Sequence, residues 1–176
     1  LMSTLEKKLK GTCLENKLMS IFTGRNRSVI RCVDIDYETH TNSEFTDLQL
    51  RVSDNANLME AFDSYLETDR LEGSNQYDVE GHGKQDADIG MELIELPPVL
   101  QLHLNRFTYD YDKDCLVKIN DYFEYPETID MSPYVNDADK EMLYDLVGVL
   151  VHSGTNYSGH YYAYIKPEPE ADWLEF

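Results

Sequence analysis

The strongest constraint in this sequence lies near its C-terminal end, where Val149 to Tyr164 reads VLVHSGTNYSGHYYAY. An alternating run rich in β-branched residues enters a loop flanked by Gly154 and Gly159, and an aromatic run leaves it. Alternation with a period of two marks strands, and glycines supply the backbone freedom that a tight reversal needs. The pattern predicts a strand over 146–152, a loop over 153–159, a strand over 160–166 and a further strand beginning at Trp173. It puts His160 at the first position of the returning strand. There a sheet holds the imidazole while one edge faces a cleft, as a general base requires: a fixed ring, access to a nucleophile and a second nitrogen free to be oriented by an acid. The position equally suits an ordinary surface or sheet-edge histidine, so spacing alone leaves both roles open.

Upstream, the apolar residues of 1–22 recur at helical spacing broken by Gly11-Thr12, which predicts two short helices with a turn between them. Alternation predicts strands over 28–37 and 45–52, joined by the polar loop 38–44 into a long antiparallel ribbon with one wet face. Asn57 followed by Glu60 has the form of a capping box and predicts a helix over 58–66. Residues 67–90 are polar and contain glycine, and read as an irregular connection. Pro97-Pro98 then mark the start of a strand over 99–107, and 109–114 (YDYDKD) reads as a turn. Strands outnumber helices and show no strand–helix repeat, so the fold class is α+β with a mostly antiparallel sheet.

Length and charge narrow the function. A chain of 176 residues supports one core rather than two. Fifteen Lys and Arg against 34 Asp and Glu leave a net charge of −19, a field that repels phosphates and anionic lipid. Nucleic acid and membrane are therefore not expected as partners, whereas a basic protein or peptide fits. With 41% hydrophobic residues the chain escapes the disordered class. Its three cysteines, Cys13, Cys32 and Cys115, are widely spaced and never form CxxC. That argues against a disulfide framework and for a reducing, intracellular compartment. No apolar run reaches 18 residues, and the chain begins in mid-pattern, as though cut from something longer. The sequons at Asn26 and Asn156 are read as chance matches.

The run His152-Ser-Gly154 … Gly159-His160-Tyr161-Tyr162-Ala-Tyr164 resembles the histidine box of the ubiquitin-specific proteases, papain-like cysteine deubiquitinases. Further blocks follow in that family's order: Lys10-Gly11-Thr12, Phe45 to Leu50, Tyr77 with Gln85-Asp-Ala87, Leu96-Pro-Pro-Val-Leu100, His103-Leu-Asn-Arg106-Phe107 and Tyr125-Pro126. The likeness is greatest to the herpesvirus-associated branch. It implies the palm and fingers part of a papain-like fold, divided into linker helices (1–26), fingers with a helix (27–95) and a palm with the histidine box (96–176). It further implies cleavage of the isopeptide bond after the ubiquitin C-terminal Gly-Gly, with ubiquitin and ubiquitinated proteins as partners, in nucleus or cytoplasm. By the same resemblance His160 is the catalytic base. The arginine-bearing ubiquitin tail would meet Glu6, His152, Gly154, Gly159, Tyr161 and Tyr109, the loops 109–118 and 154–159 walling its channel. Acidic groups grip guanidinium forks, and glycines let backbone close over Gly-Gly.

Departures from the family pattern carry their own expectations. No cysteine box is present; Cys13 lies where relatives have a linker helix and is read as a small hydrophobe. Asp172 precedes its strand and Glu175 is expected to point with a different phase, so neither is assigned as the orienting acid. On this reading the isolated chain is inactive, and it leaves open an apolar surface that a missing thumb would cover. The alternative is a non-catalytic ubiquitin-binding module. The two CxxC pairs with which many relatives hold zinc correspond here to Cys32, Ile35, Val79 and His82. Only two of these four are able to ligate, too few for structural zinc. No metal and no cofactor are expected.

Overall fold

The computed structural model describes residues 2–112, 114–136, 141–168 and 170–176. Leu1 and Lys113, which fall in the predicted first helix and the predicted 109–114 turn, lie outside the described residues. The fold is α+β with mostly antiparallel strands, as the alternation predicts. A helix Met2–Leu9 and a one-turn helix Lys17–Ser20 flank the turn at Gly11, whose φ of +77° favours glycine.

A four-stranded sheet follows, in the order Glu38–Phe45, Gly24–Cys32, Ala87–Glu95, Asp69–Leu71, each neighbour antiparallel. Two sequence expectations fail here. The polar stretch expected as a loop, 38–44, is itself the second strand of the ribbon, and the reversal lies at residues 33–37. The reason is exposure: Glu38–Phe45 is an edge strand with nearly all its side chains in water, so polar residues on both faces carry no penalty. The stretch 67–90 is not irregular either. It contains the strands Asp69–Leu71, Tyr77–Val79 and Gly83–Gln85 and the start of Ala87–Glu95, which lies inside the sheet. Arginines and carboxylates lace these strands: Arg25 with Glu95, Arg27 and Arg31 with Glu92, Arg31 also with Glu38, and Arg70 with Asp88. Among the described residues no group of three His, Cys, Asp or Glu side chains is arranged to hold a metal.

The core sits beside one end of this sheet. Leu48–Arg51 departs from the ribbon and pairs in parallel with Leu102–Asn105, Leu48 opposite Leu102 and Leu50 opposite Leu104. Against this pair packs the helix Leu58–Leu66, burying Leu58, Ala61 and Phe62, with Phe62 stacked on Tyr134 at 5.0 Å. Its N-terminus is a capping box with one variation. Asn57 Oδ1 accepts from Glu60 N–H, while Glu60 reaches back to the N–H of Ala56 and to the Asn57 amide. Leu93, Leu96, Phe123 and Met131 complete the cluster.

Two antiparallel hairpins project from this core. The predicted 99–107 strand is divided: after Leu102–Asn105 the chain kinks at Arg106, whose guanidinium binds the carbonyls of Ile119 and Asp121. It then continues as Phe107–Asp110, paired with Cys115–Lys118. A short pair, Thr128–Asp130 with Leu143–Asp145, leads into the second hairpin. That hairpin is Gly148–Gly154 with Gly159–Ile165, extended by Leu174–Glu175. The register puts Leu150, Ile165 and Leu174 on one face of the three strands, and Leu150 is 71% exposed. No helix among the described residues is long and apolar enough to cross a membrane.

Candidate functional site

The two hairpins meet, and of the residues expected at the site His152, Gly154, Gly159 and Tyr161 lie at their junction. Lys118 Nζ donates to the carbonyls of His152 and Gly154, at 2.8 and 3.2 Å, and Asn156 Nδ2 donates to the carbonyl of Leu116 at 2.5 Å. Between them lies a cleft of about 310 Å³ lined by Cys115 to Lys118, Asn120 and Gly154 to Tyr157. Its walls thus belong to the two stretches expected to form a channel.

His152 stands opposite Tyr161 across the strands, the rings 4.8 Å apart, and Phe107 packs on it from the first hairpin at 5.7 Å. Its Nδ1 is buried and has no hydrogen-bond partner. Gly159 lies under this ring: a Cβ there would come within 2.2 Å of His152 Nε2 and 2.5 Å of the Ser153 carbonyl oxygen. Gly154 has a φ of +137°, and a Cβ on it would lie 2.4 Å from the Ser158 carbonyl oxygen. Both glycines are thus set by close backbone approach in the tight reversal. The loop between them is braced by Thr155, whose N–H donates to Ser158 O and whose Oγ1 accepts from the N–H groups of Tyr157 and Ser158.

His160 is exposed and pairs with Ser153 at the mouth of the hairpin. Among the described residues no carboxylate is bonded to it. Glu175 does share its face, contrary to the expected difference of phase, because Tyr164 opposite Glu175 and His160 are an even number of residues apart. Glu175 is nonetheless four residues along the strand, about 13 Å at the rise of a β-strand. The Tyr164 hydroxyl holds its carboxylate, and that bond raises the tyrosine above its usual 10.0.

Tyr109, on the first hairpin, donates its hydroxyl to the Asp114 carboxylate, which likewise holds it above its usual value, and its ring meets Tyr111 edge-on at 5.2 Å. Glu6 is the residue not brought in: it is exposed on the helix Met2–Leu9, and no bond or ring contact among the described residues ties it to either hairpin. Cys13 is free and exposed just beyond that helix. Asn26 is buried in the sheet, where it accepts a hydrogen bond from Ser43. Nothing in the sequence marks Phe107, Lys118 or the anchoring role of Asn156 as part of the site. Alternation marked Phe107 as a strand residue, but contacts between hairpins leave no trace in local spacing.

Comparison with known proteins decides the family. The family model described as ubiquitin carboxyl-terminal hydrolase matches residues 1–176. The chain belongs to the ubiquitin carboxyl-terminal hydrolase family. Within it, the chain is 46% identical to ubiquitin carboxyl-terminal hydrolase 15 of Saccharomyces cerevisiae, covering 100% of this chain and 15% of that protein. It is 44% identical to ubiquitin C-terminal hydrolase 12 of Arabidopsis thaliana, over 98% of this chain and 16% of the relative. Drosophila melanogaster ubiquitin carboxyl-terminal hydrolase 7 is 41% identical, over 100% and 16%. Among solved structures, the SAGA Ubp8/Sgf11/Sus1/Sgf73 DUB module bound to ubiquitin aldehyde superposes with a TM-score of 0.79 at 29% identity. The match covers 89% of this chain and 36% of that one. The chain therefore spans about a sixth of the relatives' length, and it shares the fold of the matched part of that solved module.

Proposed function

We propose that this chain supplies the general-base histidine and the ubiquitin-tail channel of a cysteine deubiquitinase cleaving after Gly-Gly. The observation that carries the reading is the junction of the hairpins. His160 leaves a reversal drawn tight by Gly154 and Gly159, whose loop lines the cleft between the hairpins, and the ring cluster of His152, Tyr161 and Phe107 packs on the opposite face of the same strands. Membership of the family and the likeness to a module solved with ubiquitin aldehyde support ubiquitin as the partner. A buried polar atom without a partner costs roughly 1–3 kcal/mol, so a site that keeps one gains when a ligand meets it. His152 Nδ1 is such an atom, and a turn of the imidazole on binding would bring it to a tail N–H.

In the reaction His160 takes the proton of a cysteine thiol, which attacks the carbonyl carbon of the terminal glycine; the base then returns the proton to the departing amine, and water releases the acyl group. Cys13 has no part in it, and the 176-residue chain by itself is inactive. Gly154, Gly159, Tyr161 and Tyr109 line the tail's path, and Glu6 serves as an outlying contact for a tail arginine. The division into linker helices (1–26), fingers (27–95) and palm (96–176) belongs to the same reading, as do residence in nucleus or cytoplasm and the herpesvirus-associated branch. That branch rests on the sequence blocks, while relatives from yeast, plant and animal support the family alone.

The test is hydrolysis of a fluorogenic ubiquitin amide. In the full-length gene product, His160→Ala lowers kcat/KM by about a thousandfold or more. The isolated 176-residue chain releases no fluorophore above its own His160→Ala variant. Full activity of the substituted full-length protein would overturn the assignment.

A further inference from the structure

We propose that Lys118 is a positioning residue for His160, acting through the backbone of the opposite strand. This rests on His160 being the general base; the geometry of the hold is independent of it.

Gly148–Gly154 is the outer strand of its three-stranded sheet. Alternate backbone groups of a strand point the same way, so the carbonyls of His152 and Gly154 face the open edge while those of Ser153 face the neighbouring strand. An open edge leaves such carbonyls to water and lets the strand end fray. Here Lys118 Nζ takes both, at 2.8 and 3.2 Å. One ammonium thus bridges two successive outward carbonyls, as a further strand would. Bonds from a charged donor are roughly twice as strong as neutral ones.

The residue spanned by that bridge is Ser153, and Ser153 is the cross-strand partner of His160. Holding the carbonyls on either side of Ser153 fixes the peptide planes that pair with His160, at the end of the ladder where the hairpin would otherwise open first. The lysine is itself well anchored. It is the last residue of Cys115–Lys118, paired with Phe107, and the next residue, Ile119, donates its N–H to the Arg106 carbonyl at the kink leading back to the core. The bond from Asn156 to the Leu116 carbonyl ties down the loop on the far side of the cleft. The core is thereby linked to the base through the backbone of the opposite strand.

The experiment compares wild type, Lys118→Met, Lys118→Arg and His160→Ala in the full-length gene product, reading kcat, KM, Tm and amide hydrogen exchange. With the bridge removed in Lys118→Met, exchange at His160 and Ser153 quickens about fivefold or more. A misplaced catalytic group costs up to about a hundredfold, so kcat falls roughly 10- to 100-fold while KM stays within about threefold. Lys118→Arg, which keeps a charged donor, restores most of kcat. Unchanged exchange in Lys118→Met overturns the hold, whether or not the protein turns over substrate. Faster exchange with unchanged kcat overturns the positioning role, as does a loss of kcat that follows a fall in Tm and is not recovered by arginine. Undiminished turnover by His160→Ala removes the general base itself and, with it, this role for Lys118, while the exchange result on Lys118 stands apart.

Discussion

Gly159 and His152 are in such close approach that a methyl group on the glycine would lie 2.2 Å from the imidazole Nε2. The ring has little room to retreat, because Phe107 and Tyr161 hold it, and the Ser153 carbonyl oxygen would itself lie 2.5 Å from the added carbon. Gly159→Ala must therefore spread the strands beside His160. The expected result is a loss of about tenfold or more in kcat/KM of the full-length protein, with far-ultraviolet circular dichroism unchanged. Wild-type kinetics in the alanine variant would show that the hairpin relaxes freely.

His152→Phe separates the two attributes of that ring. Phenylalanine keeps the aromatic packing and removes the buried Nδ1 that lacks a partner. Stability should rise by about 1 kcal/mol in chemical denaturation, since an unmet buried group is lost. Affinity for ubiquitin, measured by titration calorimetry, should fall by roughly tenfold if the tail supplies the missing bond. A stabilised variant with unaltered affinity would exclude the ring nitrogen from recognition.

Glu92 gives the sheet an acid-sensitive joint. Burial acts to raise its pKa, but hydrogen bonds from Arg31 and Arg27 outweigh it, so the carboxyl lies below its ordinary 4.5. A depressed carboxylate contributes stability that is complete above the unfolded value and is lost as pH falls through the folded one. Glu92→Gln should cost about 1–3 kcal/mol at pH 7. The curves of wild type and variant should then converge as the pH drops below 4.5. Parallel curves from pH 7 to pH 3 in urea denaturation would contradict this.

Phe62 is fully buried and stacked on Tyr134 where the helix meets the parallel strand pair. Phe62→Ala should destabilise by about 3–5 kcal/mol, the usual cost of emptying a large core site. A loss below about 1 kcal/mol by thermal or chemical unfolding would mean that the surroundings collapse into the space.

What the sequence disclosed follows from the range of the forces involved. The histidine hairpin was legible because its signals are local: alternation on both sides and glycines at the reversal. The helix Leu58–Leu66 was legible for the same reason, through Asn57 and Glu60. Glu38–Phe45 carries no strand pattern because an edge strand in water has no need of an apolar face. Ala87–Glu95 does alternate, with Ala87, Ile89, Met91 and Leu93 in step, but the polar and glycine-bearing residues before it concealed its beginning. At the site, sequence found the rings and glycines of one hairpin. It did not find Lys118 or Phe107, since a lysine reaching two carbonyls on a distant strand obeys no local rule. Glu6 follows from the resemblance alone, and no bond or ring contact among the described residues joins it to the junction.

The parallel pairing of Leu48–Arg51 with Leu102–Asn105 bears on how the molecule is made. Hairpins close over short loops and form within microseconds, whereas this pair must first bring together segments separated by the helix and two of the sheet's four strands. The longer loop costs more entropy to close, so this pair is expected to form after the hairpins. During synthesis the second partner emerges only after Ala87–Glu95, so until then Leu48 and Leu50 lack the strand that pairs with them in the finished fold.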